Sequence, residues 1–314
     1  MLFYSKRTKS KEEWKSKLKS KDVSVCLLKK IKVPGVLYAS KILIDGRFAI
    51  SSNNDILIFN LSNWKCELII KGNSNTIIDI VQLKNGKLIT ISDDIKIYSI
   101  TQNSYRCEHT FKECNHPKQI VELNNNTILC LDETLYFTVV NIEKPYNIIR
   151  KIDTNQRILY DMIYQCKSKD LLLSSFHYYK ELNVWSSVTY QQIATFDGVE
   201  CPHYKTIVEY NNKILFCAEK VSIFIIDLTK YTFEAAYYCY YIGRKTFSCI
   251  ITFRDKILLL GDNKGVFQIF DFEKNVLKVL PIHETEIQNI FLMDNNTIMT
   301  ISNDKYIKIW NLIL

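Results

Sequence analysis

The side chains best suited to acid–base or nucleophilic chemistry in this chain are its five histidines and ten cysteines, and their spacing argues against catalysis. His109, His116, His177, His203 and His283 are spread along the sequence rather than gathered. A general base needs its proton donor within hydrogen-bond reach. No nucleophile motif and no glycine-rich phosphate loop accompanies any of these histidines. The cysteines form no CxxC pair and show no metal-ligand spacing. Most lie in strand-like runs, as Cys26, Cys66, Cys130, Cys217, Cys239 and Cys249 do. They are expected to be small buried side chains in a reducing compartment rather than disulfides or zinc ligands. The expectation is a chain with no catalytic residue, no metal and no cofactor. An enzyme would require polar residues distant in sequence to converge, and the sequence reveals no such set.

Recognition chemistry is better represented. His177-Tyr178-Tyr179-Lys180 and Pro202-His203-Tyr204 combine aromatic rings with polar tips, the type enriched at interaction hot spots. Tyr237-Tyr-Cys-Tyr-Tyr241, followed by Arg244 and Lys245, is a second such stretch. In a strand, Tyr238 and Tyr240 would face one way and Tyr237 and Tyr241 the other. Each cluster has two readings: a surface that holds a partner, or rings that pack on neighbouring elements.

The elements that must position these residues follow a repeat. Seven segments share one alternating pattern: Ile56–Leu61, Ile95–Ile100, Phe137–Ile142, Leu182–Ser187, Ile223–Leu228, Phe267–Phe272 and Ile307–Leu312. Their fourth residues, Phe59, Tyr98, Val140, Trp185, Ile226, Phe270 and Trp310, are separated by 39, 42, 45, 41, 44 and 40 residues. Each unit also carries an apolar strand and a polar turn (Lys84–Gly86, Asn124–Asn126, Asn211–Lys213, Arg254–Lys256, Asp294–Asn296) before a second strand. A more polar strand such as Lys65–Lys71 closes the unit. Four short strands repeating at about 40 residues predict a β-propeller, here all-β with seven four-stranded antiparallel blades. The seventh unit reaches Leu314 without its fourth strand, whereas an extra strand, Val23–Ile31, precedes the first. An open ring would expose a long strand edge. Residues 22–31 are therefore expected to complete the last blade.

The unit resembles the WD40 repeat over roughly residues 22–314, and its last copy, Ser302-Asn-Asp-Lys-Tyr-Ile-Lys-Ile-Trp-Asn311, is the most similar. The resemblance implies a buried hydrogen-bonded tetrad of His283, Thr300 (or Ser302), Asp304 and Trp310, which makes His283 structural. A buried indole N–H needs an acceptor, and a buried His and Asp need each other. The other units depart from the pattern. Trp185 has Tyr179 where the Asp should stand, and His116 and His203 precede units whose anchors are Val140 and Ile226. Most blades are thus expected to rely on apolar packing.

The resemblance also implies a function: a non-catalytic scaffold that binds protein or peptide partners through propeller loops. In that geometry His177, Tyr178, Tyr179, His203 and Tyr204 would share the face formed by the b–c and d–a loops. Tyr238, Tyr240 and Arg244 would offer an outer edge. The net charge of +8 resides mainly in residues 1–21, which carry +6 of it and are expected to be a flexible leader. Docking of this leader on anionic lipid or nucleic acid is the alternative function. The propeller shows no basic stripe with interleaved aromatics, which disfavours nucleic acid. No apolar run approaches membrane-spanning length. The expected location is cytoplasmic, with the nucleus as the alternative.

Overall fold

In the computed structural model, the described residues are 24–313, apart from 36, 115, 124–125, 133–135, 154–161, 167, 177–179, 198–203, 219–221, 239–245, 255–256 and 272–275. They form seven antiparallel sheets of four strands, here named a to d from the ring's axis outwards. Blade 1 is Ser40–Ile42, Arg47–Ser52, Asp55–Asn60 and Cys66–Ile70. Blade 2 is Asp79–Gln82, Leu88–Ile91, Ile95–Ile100 and Tyr105–Phe111. Blades 3 and 4 run from Gln119 to Asp153 and from Met162 to Asp197, and blades 5 and 6 from Ile207 to Tyr238 and from Phe247 to Pro281. Blade 7 takes Ile287–Leu292, Thr297–Ser302 and Tyr306–Ile313 from the chain's end, and its outermost strand is Ser24–Lys32. The fold is a seven-bladed β-propeller closed by the N-terminal strand. The register runs from Ser24 opposite Ile313 to Lys32 opposite Tyr306.

All seven anchor residues lie on strand c and face an apolar residue of strand b. The pairs are Phe59 with Phe48, Tyr98 with Leu88, Val140 with Ile128 and Trp185 with Leu172. Ile226 with Ile214, Phe270 with Leu258 and Trp310 with Ile298 complete the set. In six blades the register of strand d slips by one residue beside the anchor, as between Ile58 and Phe59 or between Val184 and Trp185. Such a bulge bends the strand and raises its twist, turning the blade's outer edge away from its inner one. Asn126, Asn211 and Arg254 adopt left-handed backbone in the a–b turns, as does Gly86. The Asp294–Asn296 turn is held differently, by Asp294 Oδ1 accepting the amide hydrogens of Asn296 and Thr297.

Among the described residues the core divides into seven apolar clusters, one at each interface between neighbouring blades. Ile56, Ile58 and Ile70 of blade 1 meet Ile80, Leu88 and Tyr98 of blade 2, for instance. Each such Ile contributes about 1.5–3 kcal/mol on burial, so the ring is held chiefly by the sum of its interfaces. A second set of links joins the turns. Gln82 and Glu122, each at the end of a strand a, accept the backbone N–H of Ile44 and Lys84 from the preceding blade, at 2.7 and 2.9 Å. Glu209 takes Ser168 N–H in the same way.

One expectation about the cysteines is corrected. Cys130, Cys217 and Cys249 are buried, but Cys26 and Cys66 are exposed, because both sit on outermost strands with one face in solvent. Cys239 lies outside the described residues, as do residues 1–23 with their basic leader.

Candidate functional site

The loop leading into blade 7 and its b–c turn converge on His283. Its Nδ1–H donates to Asp304 Oδ2 at 2.8 Å, and its Nε2 accepts the Thr300 hydroxyl at 2.8 Å. Thr300 Oγ1 in turn accepts the indole N–H of Trp310 at 2.9 Å. Ser302 stands aside, accepting the Asp304 amide and hydrogen-bonding the Thr285 hydroxyl. An acid, an imidazole and a hydroxyl in series have the order of a catalytic triad. Here the hydroxyl is fully buried, its proton is engaged by His283 and its oxygen accepts the Trp310 N–H, so it is closed off from a substrate. Burial lowers the His283 pKa against the pull of the Asp304 carboxylate, which fits the neutral tautomer these bonds require. The loop is fixed from behind by Gly265 of blade 6, whose carbonyl accepts the amides of Ile282 and His283. Gly265 has φ +78°, and a Cβ there would stand 2.2 Å from the His283 carbonyl oxygen.

The same junction recurs in blade 2 with other residues. Thr90 takes the place of Thr300 and donates to Asn73 Oδ1 at 2.8 Å, where blade 7 has the imidazole. Tyr98 replaces Trp310, and Asp94 replaces Asp304. Lys96 reaches the Gly72 carbonyl and lies 3.6 Å from Asp94; Lys308 reaches the Ile282 carbonyl and lies 3.9 Å from Asp304. In blade 4, Trp185 donates to Ser174 at 2.8 Å, the position of Thr300. Polar junctions thus extend beyond the last blade, and the expectation that the others rely on apolar packing holds only in part. An Asn at the histidine's place and a Tyr at the tryptophan's place hid blade 2 from the sequence pattern.

A second polar assembly lies at the axis, where strands a converge. Lys205, on the 3₁₀ turn Tyr204–Thr206 before blade 5, donates from Nζ to the Tyr38 carbonyl of blade 1 at 3.0 Å. Asp79 of blade 2 and Glu286 of blade 7 act on the same ammonium. Burial raises both carboxyls against the attraction of Lys205, and burial lowers Lys205 against theirs. Burial also pushes the nearby Cys249 thiol up to about 12, so it stays protonated at neutral pH. Glu286 is further held by the side-chain amides of Gln288 and Asn303, and Asn289 bonds Ser40 across the blade 7–blade 1 seam. On the face formed by the b–c and d–a loops, this charged cluster is flanked by two exposed side chains, Tyr38 (42 %) and Ile78 (39 %). Sequence reasoning missed the assembly because its members come from four blades.

The residues proposed from sequence to touch a partner fall mostly outside the described residues. His177, Tyr178, Tyr179, His203, Tyr240 and Arg244 lie outside the described residues. Tyr204 falls on the 3₁₀ turn and Tyr238 ends the outer strand of blade 5. His116 lies exposed in the loop before blade 3, with φ 48°.

No protein-family model matches this chain, and no curated protein matches it in sequence. The propeller therefore rests on strand order and register alone. Among the described residues no helix is long and apolar enough to cross a membrane.

Proposed function

We propose that this chain is a divergent WD40-type propeller that acts as a non-catalytic scaffold, holding a protein or peptide partner on the face formed by the b–c and d–a loops. The observation that carries this reading is the pairing of exposed Tyr38 and Ile78 with the Asp79–Lys205–Glu286 cluster. An exposed aromatic and an aliphatic side chain beside fixed charges provide the buried anchor and polar rim that a partner segment needs. A non-catalytic role is supported by how the polar groups are used. Lys205, Asn289 and Glu286 bridge blades or turns, and the His283 series is closed to solvent. A cytoplasmic setting agrees with the abundance of free thiols.

The test is affinity capture by the full chain, by a Tyr38→Ala/Ile78→Ser variant and by a chain lacking residues 1–21. The face variant is expected to weaken capture more than about tenfold, equivalent to about 1.4 kcal/mol, and to leave the unfolding midpoint unchanged. Capture lost only with residues 1–21, and steeply weakened by salt, would instead establish docking on anionic lipid or nucleic acid through the basic leader.

A further inference from the structure

In blade 3 the polar junction is rebuilt from different chemistry. Cys130 occupies the position of Thr300 and Thr90 on strand b, paired with Thr138 just as Thr300 is paired with Lys308. Cys114 comes from the loop leading into the blade, where His283 and Asn73 stand in blades 7 and 2. Asp132 follows Cys130 by two residues, at the place of Ser302. The three are buried, and their two sulfur atoms and one carboxylate oxygen lie within 4.8 Å of one another. The anchor is Val140, which brings no N–H donor to the junction.

A second observation concerns charge. In blades 2 and 7 a lysine two residues before the anchor places its ammonium beside the turn carboxylate. Blade 3 has Thr138 at that position. Its hydroxyl is buried and, among the described residues, has no hydrogen-bond partner. Thr138 is directly opposite Cys130, so the two side chains leave the sheet on the same face. Blade 3 therefore has a carboxylate and two thiols at the junction, and a hydroxyl on strand c where blades 2 and 7 carry a lysine. Lys151, exposed on strand d opposite Thr138, keeps a positive charge within reach of Cys114.

We propose that Cys114, Cys130 and Asp132 form a binding site for one thiophilic divalent cation, of which Zn²⁺ is the best match. Two thiolates and a carboxylate are a zinc donor set, with metal–ligand distances of about 2.3 Å to sulfur and about 2.0–2.2 Å to oxygen. Donors at those distances around a tetrahedral ion stand about 3.8 Å apart, so closing the site from the present separations needs at most a movement of about an ångström. Binding releases the two thiol protons and replaces them with one ion, and the fourth position is left for a water that the Thr138 hydroxyl can hold. The ion would tie the leading loop to strands b and c as the His283 series ties them in blade 7. Sequence spacing conceals the site because its ligands come from a loop, a strand and a turn.

The test uses the full chain purified under reducing conditions, loaded with Zn²⁺ or Co²⁺ and freed of excess metal by gel filtration. The expected result is about one ion per chain, with the thiolate-to-cobalt charge-transfer band and visible spectrum of a tetrahedral site. Cys130→Ser should abolish that signal while the protein stays folded, since Ser174 fills the same position in blade 4. Asp132→Asn should weaken binding at least about tenfold. Replacing the exposed Cys26, Cys66 and Cys107 with Ser should change nothing. The proposal is overturned if the chain retains no ion and both thiols titrate free, if Cys114 and Cys130 are found joined as a disulfide instead, or if the ion survives Cys130→Ser.

Discussion

In blade 7 the leading loop, the b–c turn and strands b and c meet at His283, Thr300, Asp304 and Trp310; in blade 2 they meet at Asn73, Thr90, Asp94 and Tyr98. Both junctions place a threonine hydroxyl under the loop residue, and both send a lysine from strand c to the carbonyl just before it. What is retained between them is the threonine hydroxyl donating to the loop residue and the lysine on the carbonyl before it; the N–H bond of Trp310 to the threonine is not matched by the Tyr98 hydroxyl. A fold that must satisfy buried polar groups constrains where hydrogen bonds go more tightly than which side chain makes them. The two blades also differ in how they close. Blade 2 is continuous in sequence, whereas blade 7 depends on a strand from the opposite end of the chain.

That difference supplies the largest effect. Removing residues 1–32 strips blade 7 of its outer strand and leaves Tyr306–Ile313 as an unpaired edge. The lost ladder spans eight paired positions. At about 0.5–1 kcal/mol per hydrogen bond the cost is roughly 4–8 kcal/mol, comparable with the whole stability of an ordinary domain. The truncated chain should aggregate or unfold without a cooperative transition, as read by chemical denaturation and light scattering. A truncated chain with an unchanged midpoint would mean that the ring is not held shut by this strand.

Next come the two threonines. Thr300→Val leaves both the Trp310 indole N–H and the His283 Nε2 without a partner. At about 1–3 kcal/mol per buried unsatisfied group it should cost roughly 2–6 kcal/mol. Thr90→Val strands only the Asn73 carbonyl oxygen and should cost about 1–3 kcal/mol. Urea midpoints at constant m-value measure both. Equal losses would show that the additional indole bond contributes nothing, and the distinction between the two junctions would then be one of shape alone.

The sequence made some of this architecture plain and concealed the rest for physical reasons. The alternation around Phe59, Tyr98, Val140, Trp185, Ile226, Phe270 and Trp310 was legible because a strand packed between two blades repeats its apolar demand every second residue. The closing strand was legible as a surplus at one end matching a deficit at the other. Blade 7's junction was visible because it uses His and Trp. Blade 2's was not, because Asn73 and Thr90 have the composition of any polar turn and are defined only by the bond between them. The axial cluster was invisible for another reason: Tyr38, Asp79, Lys205 and Glu286 meet only after the ring closes. The exposure of Cys26 and Cys66 was misjudged because an outermost strand alternates like an inner one while losing the neighbour on one side.

The smallest effect separates the junctions by pH. Burial keeps the His283 pKa below the free-imidazole value of 6.5, outweighing the pull of Asp304. The unfolded chain therefore binds this proton at a higher pH than the folded chain does. Stability is flat above about pH 6.5 and falls as pH drops through the window between the unfolded and folded values. Asp304 responds later. Burial raises its carboxyl, but hydrogen bonds from His283 and from the amides of Glu284 and Tyr306 bring it below 3.8, so its contribution is kept until the solution is more acidic still. Blade 2 has no titrating group in the loop position. His283→Asn copies it, and Asn73 shows that an amide there can accept a threonine hydroxyl. The variant should lose some stability at pH 7 and lose less than the parent between about pH 6.5 and 5, so the two midpoint-against-pH curves converge. Thr90→Val should leave the parent slope intact. Parallel curves for His283→Asn and the parent would place the acid sensitivity elsewhere in the ring and remove protonation as a difference between the two blades.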